Sequence, residues 1–272
     1  MKRIFYLLIL LIVAINTYAY DFQFGDLYYN ITSSSAPYTV EVTSQKHRHS
    51  SNYSGLKTAN IPETVTYNDI TYSVTRIGRY AFEQCSSLTS ISIPNSVTNI
   101  EKYAFSRCSS LTKTNYMGDI ASWCDIKFSD YEANPMYYSH NFYINDQEIK
   151  DLVIPNTVDS IYDYAFYNCS ELTSVTIPNS VTSIGFYAFT KCTSLTSILV
   201  EKGNTTYDSR ENCNAIIETA TNTLILGCQT TIIPNSVTSI GELSFPKISR
   251  QFFDYIPTLV DIYSRYVDIF LS

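Results

Sequence analysis

Residues 172–194, LTSVTIPNSVTSIGFYAFTKCTS, decide the fold, and the same pattern starts again at Leu195. With Leu172 as position 1, apolar residues fall at 1, 4 and 6 (Leu172, Val175, Ile177) and at 10 and 13 (Val181, Ile184). They fall again at 17 and 18 (Ala188, Phe189) and at 21 (Cys192). Positions 1–6 suit a short extended run whose burial alternates at its end. Pro178 at position 7 has no N–H to give a strand ladder, so pairing stops there. Asn179 and Ser180 supply turn chemistry. From position 13 the spacing becomes i, i+4, i+5, i+8, which predicts one to two helical turns. One such unit cannot bury its own apolar set, whereas stacked units can. A repeat of 23 residues lies in the range of repeat arrays.

Position 6 recurs at Ile61, Ile93, Tyr116, Ile154, Ile177, Val200 and Ile233, spaced by 23 residues or by more. The longer intervals predict inserts near 66–73, 117–148 and 201–227. The first carries Asn68-Asp69 between Tyr-rich flanks and suits a small hairpin. Inserts of this kind leave a repeat array as loops while the stack continues. The signature A-F-x-x-C occurs at Ala81/Phe82/Cys85, Ala104/Phe105/Cys108, Ala165/Phe166/Cys169 and Ala188/Phe189/Cys192, with a partial copy at Ser244/Phe245. Position 14 is Gly78, Gly185 and Gly241 but also Glu101 and Tyr162. A site that accepts Glu and Tyr needs no left-handed backbone.

The composite L-x-x-[IV]-x-I-P-x-[ST]-V-x-x-I-G-x-x-A-F-x-x-C resembles the BspA-like bacterial surface-antigen class of leucine-rich repeat over about residues 56–245. The stretches 61–78 and 212–228 also resemble inserts of that family. The resemblance implies a leucine-rich repeat solenoid, an α/β repeat with parallel strands on one face and short helices and turns on the other. It further implies a secreted or surface-attached protein with binding or adhesion roles, and it carries over no catalytic residue.

The 272 residues are 45% hydrophobic and only 16% charged, which allows a large core. A net charge of −7 without basic clusters argues against nucleic acid as a partner. Lys2-Arg3, the apolar run Ile4–Ile15 and Ala19 predict a signal peptide at 1–19, too short in its apolar run for a membrane span. Residues 20–55 alternate like strands and are expected to form an N-terminal β cap. Residues 246–272 carry Ile256, Leu259, Val260, Tyr263, Val267 and Phe270 on a helical period. This tail is either a capping helix or a degenerated repeat.

No cofactor-binding or metal motif is present. His47 and His49 are a candidate metal pair, but no Cys or carboxylate cluster joins them, so the stretch suits a solvated loop. Cys124 and His140 are the one His/Cys pair that suggests a nucleophile, and neither has the flanking residues such enzymes show. The chain is therefore expected not to be an enzyme. The aromatics Trp123, Phe128, Tyr131, Tyr137, Tyr138, Phe142 and Tyr143 are expected to pack the oversized coil, with a binding protrusion as the rival reading. If Glu218 faces Thr223 in a hairpin, Cys213 faces Cys228, and the pair is a candidate disulfide, with two free thiols as the alternative. The repeat cysteines suit buried free thiols instead, because stacked Cβ atoms lie about 4.8 Å apart, too far to bridge. Sequons occur at Asn30, Asn52, Asn168 and Asn204.

The outward strand positions are the candidate partner-binding surface: Thr89, Ser90, Ser92, Thr112, Lys113, Asn115, Lys150, Asp151, Thr173, Ser174, Thr176, Thr196 and Ser197. This Ser/Thr-rich face suits an extended protein or glycoprotein ligand. The leading expectation is a secreted or cell-surface adhesion or recognition protein. The alternatives are a structural or truncated array member with no ligand of its own and, further off, a hydrolase with a loop-borne site.

Overall fold

The computed structural model describes residues 20–45, 53, 55–241 and 244–245. The signal segment, Lys46–His49, Asn52 and the tail 246–272 lie outside the described residues.

The repeat closes into stacked coils, numbered here from their position-1 residues: coil 1 (56–87), coil 2 (88–110), coil 3 (111–148), coil 4 (149–171), coil 5 (172–194), coil 6 (195–227) and a partial coil 7 (228–245). Three hydrogen-bond ladders run up the stack. The first joins the L-x-x-[IV]-x-I strands in parallel. Thr58–Asn60, Ser90–Ile93, Lys113–Tyr116 and Phe142–Ile144 form one sheet, closed by the antiparallel strand Gln147–Glu148. Asp151–Val153, Ser174–Ile177 and Ser197–Val200 form another. The expected single strand face is therefore two sheets, divided at coil 3. The second ladder pairs Ile70–Ile77 with Asn99–Ile100, which pairs in turn with Lys127–Phe128, and Ser160–Ile161 with Ser183–Ile184.

The third ladder corrects the expected helices. The A-F-x-x-C segments are successive tight turns, and position 16 and position 20 are left-handed in each complete copy. Tyr80, Tyr103, Tyr164 and Tyr187 have φ of 58–62°, and Gln84, Arg107, Asn168 and Lys191 have φ of 59–64°. Left-handed residues break the helical run, and the freed N–H groups point at the next coil. The N–H groups of Tyr80, Phe82 and Gln84 donate to the carbonyls of Lys102, Ala104 and Ser106. Tyr164, Phe166 and Asn168 repeat this onto Phe186, Ala188 and Thr190. An i, i+4, i+5, i+8 apolar pattern fits either geometry; the inter-coil donors choose the turn. The described α-helices, Ile120–Cys124 and Met136–Ser139, are short and both lie in coil 3. Gly78, Gly185 and Gly241 are not left-handed, in line with the Glu and Tyr found at that position.

The core is a column of rings and aliphatic side chains inside the coils. Phe82 stacks on Phe105 with centroids 5.4 Å apart, and Phe166 on Phe189 at 5.3 Å. Tyr53 covers Phe82 at 5.2 Å, and Phe142 and Trp123 fill the space beneath Phe166. Each fully buried side chain of this size contributes roughly 1.5–3 kcal/mol. The repeat cysteines are free and buried. Burial pushes the thiols of Cys85, Cys124 and Cys169 up to about 12. Cys108 and Cys192 also donate to the carbonyls of Phe82 and Phe166 in the preceding coil, at 3.1 and 3.2 Å.

At the N-terminal end, Phe22–Phe24, Leu27–Ser33 and Thr39–Thr43 form an antiparallel meander whose last strand pairs in parallel with Ile70–Ile77. The insert of coil 1 is the expected hairpin: Thr64–Tyr67 returns onto Ile70–Ile77 through left-handed Asn68 and Asp69.

Candidate functional site

The strand face places its candidate residues in register. Thr58, Ser90 and Lys113 form one row, and Asp151, Ser174 and Ser197 another. Val153, Thr176 and Leu199 lie alongside the second row, with Val153 60% and Leu199 50% exposed. The position-2 threonines are committed to the stack. The Thr89, Thr112, Thr173 and Thr196 hydroxyls each donate to a main-chain carbonyl of the preceding coil, at 2.9–3.3 Å. Asn115 is only 2% exposed, so it does not face solvent as expected. It holds the turn at Asp146 through paired bonds of 3.1 and 2.9 Å. Lys113 bonds the same carboxylate at 2.7 Å and lies over the Tyr143 ring. Lys150 pairs with Glu148 at 3.4 Å. Asp151 accepts from Ser174 and then Thr173, and these bonds hold its carboxyl below its ordinary range. Ser90, Ser92, Thr176 and Ser197 remain with no side-chain hydrogen bond among the described residues.

Coil 3 lacks A-F-x-x-C, and its own residues rebuild the missing ladder. Towards coil 2, the Glu132 carbonyl accepts from Phe105 N–H at 3.2 Å, and the Tyr138 hydroxyl from Arg107 N–H at 2.6 Å. Towards coil 4, Trp123 Nε1 donates to the Ala165 carbonyl at 2.8 Å, and Asn134 Nδ2 to those of Tyr164 and Ala165. Trp123, Phe128 and Phe142 are buried, so the aromatic density of this insert is mostly packing. Cys124 is buried and its thiol is held neutral, while His140 is exposed and contacts Asn168. The two do not form a nucleophile pair.

The turn face carries a feature that the apolar pattern alone did not single out. Position 16 is tyrosine in every complete copy, and these rings stack on one another: Tyr80 on Tyr103 at 5.4 Å and Tyr164 on Tyr187 at 5.5 Å. Between the pairs, Tyr131, Tyr137 and Tyr167 continue the row, with Lys191 over Tyr137 and Tyr167. Phe186, 78% exposed, and Tyr131, 43% exposed, border it. The Y-A-F tripeptide was its signal in the sequence.

The hairpin Ala215–Glu218/Thr223–Gly227 begins as expected, with Glu218 opposite Thr223, but a bulge between Ile216 and Ile217 shifts the register. Ala215 then faces Gly227, which moves Cys228 off Cys213. A one-residue slip turns a side chain to the other face. Cys213 packs in a small cluster with Ile217 and Leu224, and Cys228 in the main core, and both are free. The candidate disulfide is not formed. Of the sequons, Asn30, Asn168 and Asn204 all spend their side-chain amides on hydrogen bonds.

Among the described residues no three His, Cys, Asp or Glu side chains converge as a metal site, and no helix is long and apolar enough to cross a membrane. The BspA type leucine rich repeat region matches residues 53–141 and 136–225, in six copies. No curated protein matches the sequence. The fold is similar to a leucine rich cell surface protein from Faecalibacterium prausnitzii (19% identity, 82% of this chain and 73% of that one, TM-score 0.41). It is also similar to a leucine-rich repeat protein from Bacteroides ovatus (24% identity, 82% and 61%, TM-score 0.41) and to the pneumococcal vaccine antigen PcpA (19%, 82% and 61%, TM-score 0.45). This chain thus spans about three-fifths of the latter two.

Proposed function

This chain belongs to the BspA-type leucine-rich repeat family, and we propose that it is a secreted or cell-surface binding protein that recognises a protein or glycoprotein through its strand face. One observation carries this reading. Ser174, Ser197, Thr176, Val153 and Leu199 sit in register on one open sheet, pairing exposed apolar groups with hydroxyls. A parallel sheet presents such rows at the strand spacing of about 4.8 Å, which suits an extended ligand. The position-2 threonines and Asn115 serve the fold, so the proposed contact set is Ser90, Ser92, Ser174, Thr176, Ser197, Val153 and Leu199, flanked by Lys113, Lys150 and Asp151.

Binding of residues 20–272 to a panel of extracellular matrix glycoproteins tests it. Ser174→Glu together with Ser197→Glu is expected to weaken a positive interaction at least tenfold. Unchanged affinity would remove the strand face. A second reading is favoured by the tyrosine row of the turn face. Rigid aromatic rings give large contact area at little entropic cost, and binding lost on Phe186→Ala and Tyr131→Ala but kept in the serine variants would select it.

A further inference from the structure

Coils 1, 2, 4 and 5 carry A-F-x-x-C, and in the first three the turn-face donors are answered by the next coil. The N–H groups of Tyr80, Phe82 and Gln84 reach coil 2, those of Phe105 and Arg107 reach coil 3, and those of Tyr164, Phe166 and Asn168 reach coil 5. In coil 5 the equivalent residues are Tyr187, Phe189 and Lys191, and Tyr187 and Lys191 keep the same left-handed backbone. Coil 6 has no A-F-x-x-C, and among the described residues these three N–H groups have no acceptor. A cavity of about 440 Å³, within the size range of ligand pockets, lies against Tyr187 and Phe189.

The walls add two further requirements. Ile216, Ile225 and Leu226 of coil 6 make one side apolar, and Asp163 and Glu218 bring two carboxylates to the lining. Each carboxylate is half used. Asp163 Oδ1 accepts from the Phe186 N–H at 2.7 Å, and Glu218 Oε2 accepts from the Thr221 hydroxyl. Neither forms an ion pair among the described residues.

We propose that this cavity is a peptide-binding site, separate from the strand face, and that its ligand is an extended segment of another protein carrying a lysine or arginine among apolar residues. Such a segment meets every demand of the walls. Its main chain offers carbonyls to Tyr187 and Phe189, as coil 5 offers its own to coil 4. Main-chain bonds of this kind give affinity, and side-chain pockets give specificity. Its apolar side chains cover Ile216 and Ile225, and its cation answers Asp163 and Glu218 through charge-assisted bonds. A basic small molecule without carbonyls would leave the N–H groups unanswered, and an acidic peptide would meet two carboxylates.

Three measurements on the full chain test this. First, in hydrogen exchange by NMR without ligand, the Tyr187 and Phe189 amides should exchange roughly tenfold faster, or more, than those of Phe82 and Phe166. Equal protection would mean that the chain fills the cavity itself, and would overturn the proposal. Second, a phage-displayed random heptapeptide library is selected against the chain. The selected peptides should carry Lys or Arg beside apolar residues, and synthetic copies should slow exchange at Tyr187 and Phe189. An empty selection, or peptides that leave those amides unchanged, overturns it. Third, Asp163→Asn with Glu218→Gln, which keep the neutral acceptors, should weaken a selected peptide by roughly tenfold or more. Ser174→Glu with Ser197→Glu should leave that peptide's affinity unchanged. Full affinity in the carboxylate variant overturns the proposal, and loss in the serine variant alone would assign the peptide to the strand face instead.

Discussion

Coil 3 and coil 6 lack the same signature, and they deal with its absence in opposite ways. Coil 3 replaces the missing backbone groups with Glu132, Asn134, Tyr138 and Trp123, and its interior is filled by Trp123, Phe128 and Phe142. Coil 6 brings a hairpin instead. That hairpin pairs onward to Ser239–Ile240 and so holds coil 7 away from coil 5. On the turn face it leaves a cavity. In a stack of this kind, what matters is whether something answers the donors of the preceding coil, not whether the repeat consensus is kept.

The largest effect is expected where the substitute is most buried. Trp123→Ala should lower unfolding free energy by about 3–5 kcal/mol, since it empties a large site and removes one of the two side-chain donors to the Ala165 carbonyl. Trp123→Phe keeps most of the volume and should cost less, and equal losses in denaturant titration would show that the Nε1 bond, not the ring volume, carries the effect. Asn134→Ala should cost about 0.5–1.5 kcal/mol by removing one bond to the Tyr164 carbonyl, which keeps the Tyr167 N–H. Overpacking separates the two coils directly. Ile126→Phe, in the closed interior of coil 3, should destabilise by about 1–3 kcal/mol. Ile225→Phe, on the wall of the coil 6 cavity, is a small surface-like change of about 0.5 kcal/mol if the cavity is open.

Thiol chemistry gives a smaller readout. Titration of the denatured, unreduced chain should find all seven cysteines free, and five would restore the Cys213–Cys228 bridge. In the native chain at pH 8, burial holds the thiols of Cys108, Cys124 and Cys192 neutral, and all three should react far more slowly with alkylating reagents than in the denatured chain. The smallest effect lies away from both coils. The folded pKa of Asp151 is depressed by Ser174 and Thr173. Its contribution is therefore present above the unfolded carboxylate value, about 4, and is lost as pH falls through the lower folded value. Asp151→Asn should flatten the acid limb of the stability profile only slightly, as suits an exposed group, and leave stability at pH 9 to change without pH dependence.

Much of this was legible in the residues. The period, the four A-F-x-x-C copies, the Asn68-Asp69 hairpin and the buried free thiols of the repeat all follow from spacing and turn chemistry. The helical reading of positions 13–21 failed because tight turns with left-handed residues at 16 and 20 bury the same side chains. The strand face was read correctly as outward at Ser90, Ser174 and Ser197, but the hydroxyls of the position-2 threonines were assigned to a partner when the neighbouring coil takes them. The Cys213–Cys228 pairing failed at one bulge, which no count along the chain reveals.

By itself the sequence determined which side chains go inside, because apolar burial depends on period and the period is written in the chain. Only the tertiary structure decided who answers each backbone donor. Those partners lie about one coil away, across inserts of different length, so it is stacking geometry and not local preference that makes Trp123 and Asn134 stand in for a missing turn, and that leaves Tyr187 and Phe189 lining a cavity.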